Sequence, residues 1–400
     1  MFFFAIDFIF EQNNQILKDM KKIILICFSI VPFIFIGQNY QVGHKQVTYI
    51  DPARNNRSIQ TEIYYPANTA GDNVAIASGQ FPFLVFGHGF VMGWDSYQWL
   101  WDSIVPQGYI MLFPRTEGSI SPNHSNFGLD LRFLNEYFKT ENTNASSFFY
   151  QHIANTSAIM GHSMGGGSSF LAAENYTNFT TLINFAAATT NPSSISAAAS
   201  VTVPLLMFIG ENDGVAPPAT HQIPMFDSSA SSCKTRVTIN GGGHCYFGNY
   251  NFNCSFGEST TSPQPTITRN EQQARVLYLL IPYLSYMLKG NSNDGALFMT
   301  RLTNNPDITY VRTCNTSIHG ETYNKGFIYP NPTSNQLNLY LPENTNKVLY
   351  SIIDILGNEL IKGEIYNSME SINITNLPKG LYFIKLSSFF EQTNIKFIKE

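Results

Sequence analysis

The chain has 400 residues, more than one ordinary domain, and its 44% apolar and 14% aromatic content supplies a large core, so two folded units are expected. A formal net charge of −5, a pI near 5.9 and the lack of any Lys/Arg cluster interleaved with aromatic residues exclude a nucleic-acid partner.

Met20-Lys21-Lys22 is a basic start, and the apolar run from Ile23 to Ile36 that follows is shorter than the ~18 residues of a bilayer span. With Gly37-Gln38 as a cleavage point, residues 1–37 read as a secretory signal whose true start is Met20. An exported chain keeps Cys233, Cys245, Cys254 and Cys314, an even number that suggests up to two disulfides. Proximity and loop placement favour Cys233 with Cys245 and Cys254 with Cys314. No Cys/His spacing has the form of a zinc site, and no metal or cofactor is expected.

From Tyr40 to Pro66 the alternation of apolar residues predicts two edge strands as a leading antiparallel pair. Phe81 to Phe86 is a buried strand that stops at Gly87-His88-Gly89-Phe90. A helix over Asp95 to Pro106 follows, with Tyr97, Leu100, Trp101 and Ile104 at core spacing and Trp94 free to line a substrate pocket. Tyr109 to Phe113 is the next strand, and Phe127 to Phe138 an amphipathic helix.

Ser157 to Met160 then leads into Gly161-His162-Ser163-Met164-Gly165-Gly166-Gly167, a Gly-x-Ser-x-Gly turn between a strand and a helix. A side chain at Gly161 or Gly165 would collide across so sharp a bend, which lifts Ser163 clear of the sheet. The Met164 N–H lies at a helix N-terminus, where unpaired amides favour an oxyanion, and Phe90 is the second candidate donor. After strands at Leu182 to Ala187 and Val203 to Ile209, Asp213 is the candidate acid, with Glu211 its rival and Asp227 third. Arg236 to Asn240 is the expected last strand, and His244 in the glycine-rich loop beyond it is the candidate base. Glu271 to Leu288 closes the domain. The order Ser, Asp, His, each after a strand, implies an α/β-hydrolase fold, with no cap between Ala187 and Val203.

Beyond Lys289 turn-rich sequence gives way to short alternating strands at Leu337 to Leu341, Val348 to Ile353, Ile372 to Ile374 and Leu381 to Leu386. These predict a separate β-sandwich over 328–400, joined by a linker at 317–327 to a catalytic domain over 38–316.

Residues Gly161 to Gly167, Val203 to Pro218 and Ile239 to Cys245 resemble the cutinase-like polyester hydrolases and the related dienelactone hydrolase and chlorophyllase-like esterases, over roughly residues 81–290. That resemblance implies Ser163 as nucleophile, Asp213 as acid, His244 as base, and Phe90 and Met164 as oxyanion donors. It departs at Ala186 to Ser200, which hold no aromatic residue where polyesterases of this kind hold a tryptophan. The tail, through Tyr329-Pro330-Asn331-Pro332, Asp354-Ile355-Leu356-Gly357 and Leu377 to Leu386, resembles the C-terminal sorting domain of the type IX secretion system. The expectation is a secreted or surface-held monomeric serine esterase acting on a small or polymeric ester, with the secretion machinery as partner. Two alternatives stand beside it: a surface binding protein on a hydrolase scaffold, and a serine peptidase or acyltransferase.

Overall fold

The computed structural model describes residues 40–314, 327–341, 348–365, 369–387 and 392–400. The expected signal at 1–37 lies outside them, as does the expected linker except for Phe327, which opens a strand.

The first unit is built on one ten-stranded sheet. Strands β1 (Gln41–Asp51) and β2 (Arg57–Ala67) form the leading antiparallel hairpin, and the short β3 (Gly71–Asp72) edges it. Strands β4 (Phe81–Gly87), β5 (Ile110–Pro114), β6 (Ile153–His162), β7 (Thr181–Phe185), β8 (Leu205–Gly210) and β9 (Cys233–Ile239) make a parallel block, with β10 (Ile308–Cys314) antiparallel beyond it. The spatial order is β10-β9-β8-β7-β6-β4-β5-β2-β1-β3.

Because the parallel strands are covered on both faces, they read as unbroken apolar runs whose alternate residues enter two different cores. Phe81, Phe83 and Val85 of β4 point into one core, and Leu84 and Phe86 into the other. The first is covered by α2 (His124–Glu141) through Leu131, Leu134 and Phe138, and by α3 (Met164–Ala173) through Phe170. The second is covered by α1 (Gln98–Ile104), through Leu100, Trp101 and Ile104. Only the five-residue α4 (Ser194–Ala198) lies between β7 and β8, so no cap is inserted there. Next come α5 (Gln222–Ser228), α6 (Phe252–Ser259), α7 (Arg269–Lys289) and α8 (Ser292–Thr303). Helix α7 opens with a capping box between Thr268 and Glu271 and packs Val276, Leu279, Leu280 and Leu284 into the second core. The result is the α/β-hydrolase architecture.

Two expectations are corrected. The sheet does not end at β9: after α7 and α8 the chain returns as β10 and pairs with β9 along its full length. The disulfides join Cys233 to Cys314 and Cys245 to Cys254. Cys233 opens β9 and Cys245 follows its far end, so a seven-residue strand holds them about 20 Å apart. Cys314, by contrast, stands directly opposite Cys233 in the β9–β10 register.

In the tail, β11 (Phe327–Tyr329), β12 (Gln336–Tyr340) and β15 (Met369–Asn373) form one antiparallel sheet. Strands β13 (Val348–Ile353), β14 (Glu359–Ile365), β16 (Gly380–Ser387) and β17 (Gln392–Lys399) form another. Leu337, Leu339 and Ile372 from the first sheet and Ile352, Ile384 and Phe397 from the second share one buried apolar cluster.

Candidate active site

Strand β6 ends at His162 and α3 begins at Met164, so Ser163 occupies a turn one residue wide, at φ 53° and ψ −120°. That conformation is rare outside glycine and persists because the surroundings enforce it. The Ser163 N–H donates to the Phe185 carbonyl at 3.0 Å, and its own carbonyl accepts from Gly167 at 3.0 Å and Ala188 at 2.9 Å. A Cβ on Gly165 would lie 2.1 Å from the Gly87 carbonyl oxygen, and one on Gly161 2.3 Å from that of Gly165. Only glycine lets α3 begin so close to the ends of β4 and β6.

Against Ser163 stands His244, whose Nε2 is 2.9 Å from the serine Oγ. Its Nδ1 lies 2.8 Å from Asp213 Oδ2, and both partners are buried. The other Asp213 oxygen accepts the N–H groups of Val215 at 3.1 Å and Ala216 at 2.7 Å, so the carboxylate is fixed from behind. The order of contacts makes Nδ1 the donor to Asp213 and leaves Nε2 bare to accept the serine proton. Ser163, Asp213 and His244, each at the end of a strand, are thus brought together.

The loop that carries His244 is held residue by residue. Gln272 of α7 accepts the Gly243 N–H at 2.8 Å and donates to the Gly243 carbonyl at 2.9 Å. Buried Glu258 of α6 accepts the Cys245 N–H at 3.0 Å, and Arg269 donates to the Cys245 carbonyl and, at 2.6 Å, to that of Gly248. The Cys245–Cys254 disulfide pins the same loop to α6.

Met164 is the first residue of α3, so its N–H has no acceptor within the helix. Phe90 follows β4 and is 46% exposed, and its N–H has no protein acceptor among the described residues. Trp94 is half-buried: its Nε1–H donates to the Tyr64 hydroxyl at 3.1 Å and the Arg115 guanidinium lies 4.3 Å over its ring. His88 is buried between the carbonyls of Gly89 and Thr116, each 2.9 Å away, and burial pushes its pKa down. The rival acids are engaged or remote. Glu211 accepts the Gly241 N–H at 2.7 Å, and Asp227 is exposed on α5.

Residues that the sequence reading passed over stand directly behind the site. Tyr97 has core spacing and is indeed buried, yet its hydroxyl is 2.9 Å from His162 Nδ1. His221 accepts the Thr189 N–H at 3.0 Å, and burial, opposed by Asp213 and reinforced by His244, lowers its pKa. Among the described residues no group of three or more His, Cys, Asp or Glu side chains is placed to hold a metal ion, and no helix is long and apolar enough to cross a membrane.

Comparison with known proteins gives the site its context. The chain is 30% identical over 186 residues to cutinase est1 of Thermobifida alba, an alignment covering 46% of this chain and 56% of that protein. It is 27% identical over 171 residues to the bis(hydroxyethyl) terephthalate hydrolase of Streptomyces coelicolor, covering 42% of this chain and 50% of the relative. The chain thus spans about half the length of the curated relatives it matches. Residues 327–400 match the secretion system C-terminal sorting domain, which directs the chain by type IX secretion to the cell surface or the extracellular space. Residues 45–260 match the PET hydrolase-like family model, and the chain belongs to that family.

Proposed function

We propose that this protein is a secreted carboxylic-ester hydrolase working through Ser163, His244 and Asp213. The observation that carries the proposal is the continuous line from Asp213 Oδ2 to His244 at 2.8 Å and from His244 to Ser163 Oγ at 2.9 Å. In the first half-reaction Ser163 Oγ attacks the ester carbonyl carbon while His244 Nε2 takes the hydroxyl proton. Asp213 holds the ring in the required tautomer and stabilises its positive charge. The Phe90 and Met164 amides receive the oxyanion. As the tetrahedral centre collapses, the C–O bond to the alcohol breaks and His244 returns the proton to the leaving oxygen. Water repeats the sequence on the acyl-serine and frees the acid.

A polymeric ester is the favoured substrate class. The cleft has no cap over it between β7 and β8, and Tyr250, Phe252 and Phe256 stand exposed on and just before α6, the helix tied by disulfide to the residue after His244. The relative named a cutinase supports the same class, while the one named for bis(hydroxyethyl) terephthalate, a small diester, supports ester hydrolysis more generally. Trp94, close in sequence to Phe90, is the residue we assign to the substrate-binding wall beside the Phe90 loop.

Ser163→Ala should lower turnover of p-nitrophenyl butyrate by a factor on the order of 10³ or more and abolish labelling by a fluorophosphonate probe. A folded wild-type chain that takes no label would favour a binding protein on a hydrolase scaffold. Labelling with no ester turnover would favour a peptidase or acyltransferase. Phe252→Ser with Phe256→Ser should slow release from polyester film while leaving the small ester unaffected.

A further inference from the structure

Behind the site a run of hydrogen bonds crosses three separate segments of chain. The Gly89 N–H, one residue before Phe90, donates to the Tyr97 hydroxyl oxygen at 2.8 Å. That hydroxyl lies 2.9 Å from Nδ1 of His162, the residue before Ser163. The other nitrogen of His162, Nε2, lies 3.1 Å from the main-chain carbonyl oxygen of His244. Tyr97 and His162 are fully buried.

Counting donors fixes the proton positions. A carbonyl oxygen can only accept, so Nε2 of His162 carries a proton. A neutral ring then leaves Nδ1 bare to accept the Tyr97 O–H, while the phenol oxygen accepts from Gly89. A protonated Nδ1 would turn the hydroxyl toward its other neighbour, Met92 Sδ at 3.5 Å, a far weaker acceptor. The groups facing His162 also oppose a charge there. Besides Tyr97, the titratable and charged neighbours are His244, with ring centroids 4.9 Å apart, and Arg269, and the ring of Phe247 packs at 6.1 Å. Burial together with His244 and Arg269 drives the imidazole pKa well below its usual value.

We infer that Tyr97 and His162 are positioning residues, a relay that locks the Phe90 loop, the Ser163 turn and the His244 loop into one unit, with His162 held as its neutral Nε2–H tautomer. The inference rests on the ester hydrolase reading above. It deepens that reading by naming what keeps the proposed oxyanion donor, nucleophile and base in register. Gly89 is part of the device: a Cβ there would sit 2.8 Å from Met92 Sδ and 3.2 Å from both the Tyr97 hydroxyl and His162 Nδ1. A neutral His162 further allows its neighbour His244 to take a proton during each half-reaction without a second positive ring beside it.

Tyr97→Phe removes one hydroxyl and keeps the ring that packs 4.5 Å from Phe86. It should lower kcat on p-nitrophenyl butyrate about 10-fold or more with KM changed less than about twofold, because geometry at the reacting groups is lost while the cleft is kept. A loss of general packing would instead lower the folded fraction and leave kcat per active site, titrated with the fluorophosphonate, at the wild-type value; that result would overturn the relay. The second measurement needs no variant at the relay's phenol: imidazole ¹⁵N NMR of the wild-type protein, with His162 assigned by difference against His162→Gln. A bare Nδ1 and protonated Nε2 from pH 8 to pH 5 is expected, and a protonated Nδ1 at neutral pH would overturn the proposal. Full turnover by Ser163→Ala would overturn the hydrolase reading instead, a result that the tautomer measurement does not depend on.

Discussion

Asp213 owes its place in the site to two constraints on one short side chain. Val215 and Ala216 amides occupy Oδ1, which turns Oδ2 toward His244. Asp213→Asn keeps the shape but offers the ring an amide that stabilises the wrong tautomer, so kcat should fall by a factor on the order of 10³ to 10⁴ with the melting temperature little changed. Glu211→Gln, at a side chain that accepts the Gly241 amide rather than a nitrogen of His244, should leave kcat within a few-fold, and the reverse ranking in steady-state assays would transfer the acid's role. Protonation of the buried histidines should also appear in stability. His88 and His162 both have pKa values lowered in the fold from the ordinary 6.5, chiefly by burial. Below that value the unfolded chain binds protons that the folded chain refuses, so stability falls as pH drops from 6.5 toward the depressed folded values, and none of it is lost above. The slope is about 1.4 kcal/mol per pH unit for each such group inside its window. Thermal melts between pH 8 and pH 5 should show the decline, and His162→Gln should flatten it. At this scale the positions of Ser163, Asp213 and His244 were legible because each follows an apolar run and sits in a turn-rich loop. Tyr97 was not. Its spacing on a helical face marks it as core, which it is, and nothing local announces that its hydroxyl meets a ring 65 positions further along the chain.

The two disulfides do different work on the elements they join. Cys233–Cys314 staples the edge pair β9–β10 and closes 81 residues of chain, which in the chain-entropy view removes about 4.5 kcal/mol of freedom from the unfolded state. Cys245–Cys254 closes only 9 residues, about 2.6 kcal/mol by the same relation, but it pins the His244 loop to α6. Cys314→Ser should therefore lower the melting temperature more than Cys254→Ser does, while Cys254→Ser lowers kcat more. Melts and ester kinetics on the two variants check both halves, and the same ordering for both readouts would refute the division of labour. The pairing itself could not be read beforehand, because it depends on a strand register. β10 carried a weak signal: Thr309, Tyr310 and Val311 are all exposed, so the run shows no inward and outward alternation, and it lies after a helix that looks like a terminus. The central parallel strands were far easier to read, being apolar on both faces. Helices α5 and α6 went unseen for another reason. Each is two turns long with mixed composition, below the length at which helical periodicity stands out.

On the scale of the whole molecule, the chain carries two hydrophobic systems that the described residues keep separate. One fills both faces of the ten-stranded sheet, and the other lies between the two small sheets of the sorting domain. The groups proposed for chemistry, and the relay behind them, all fall between Gly89 and Arg269. The last strand of the large sheet ends at Cys314, whose disulfide to Cys233 is complete within that unit. The tail from residue 328 onward holds neither histidine nor cysteine, and its match is to a sorting domain, which addresses a protein rather than acting on a substrate. A chain cut to residues 38–316 should therefore fold with both disulfides formed and keep kcat/KM on p-nitrophenyl butyrate within about twofold of the full chain. Among the described residues, the hydrogen bonds and the disulfide that hold the Ser163 turn, the Asp213 loop and the His244 loop all come from residues within that range. In the native host the same cut should leave the protein short of the cell exterior, because the address is gone while the enzyme is intact. Fractionation of cells for ester-hydrolysing activity, beside kinetics on the purified short chain, reads the two effects separately. If the short chain folds but loses most of its kcat/KM, the tail contributes to the site and the boundary proposed near residue 316 is wrong.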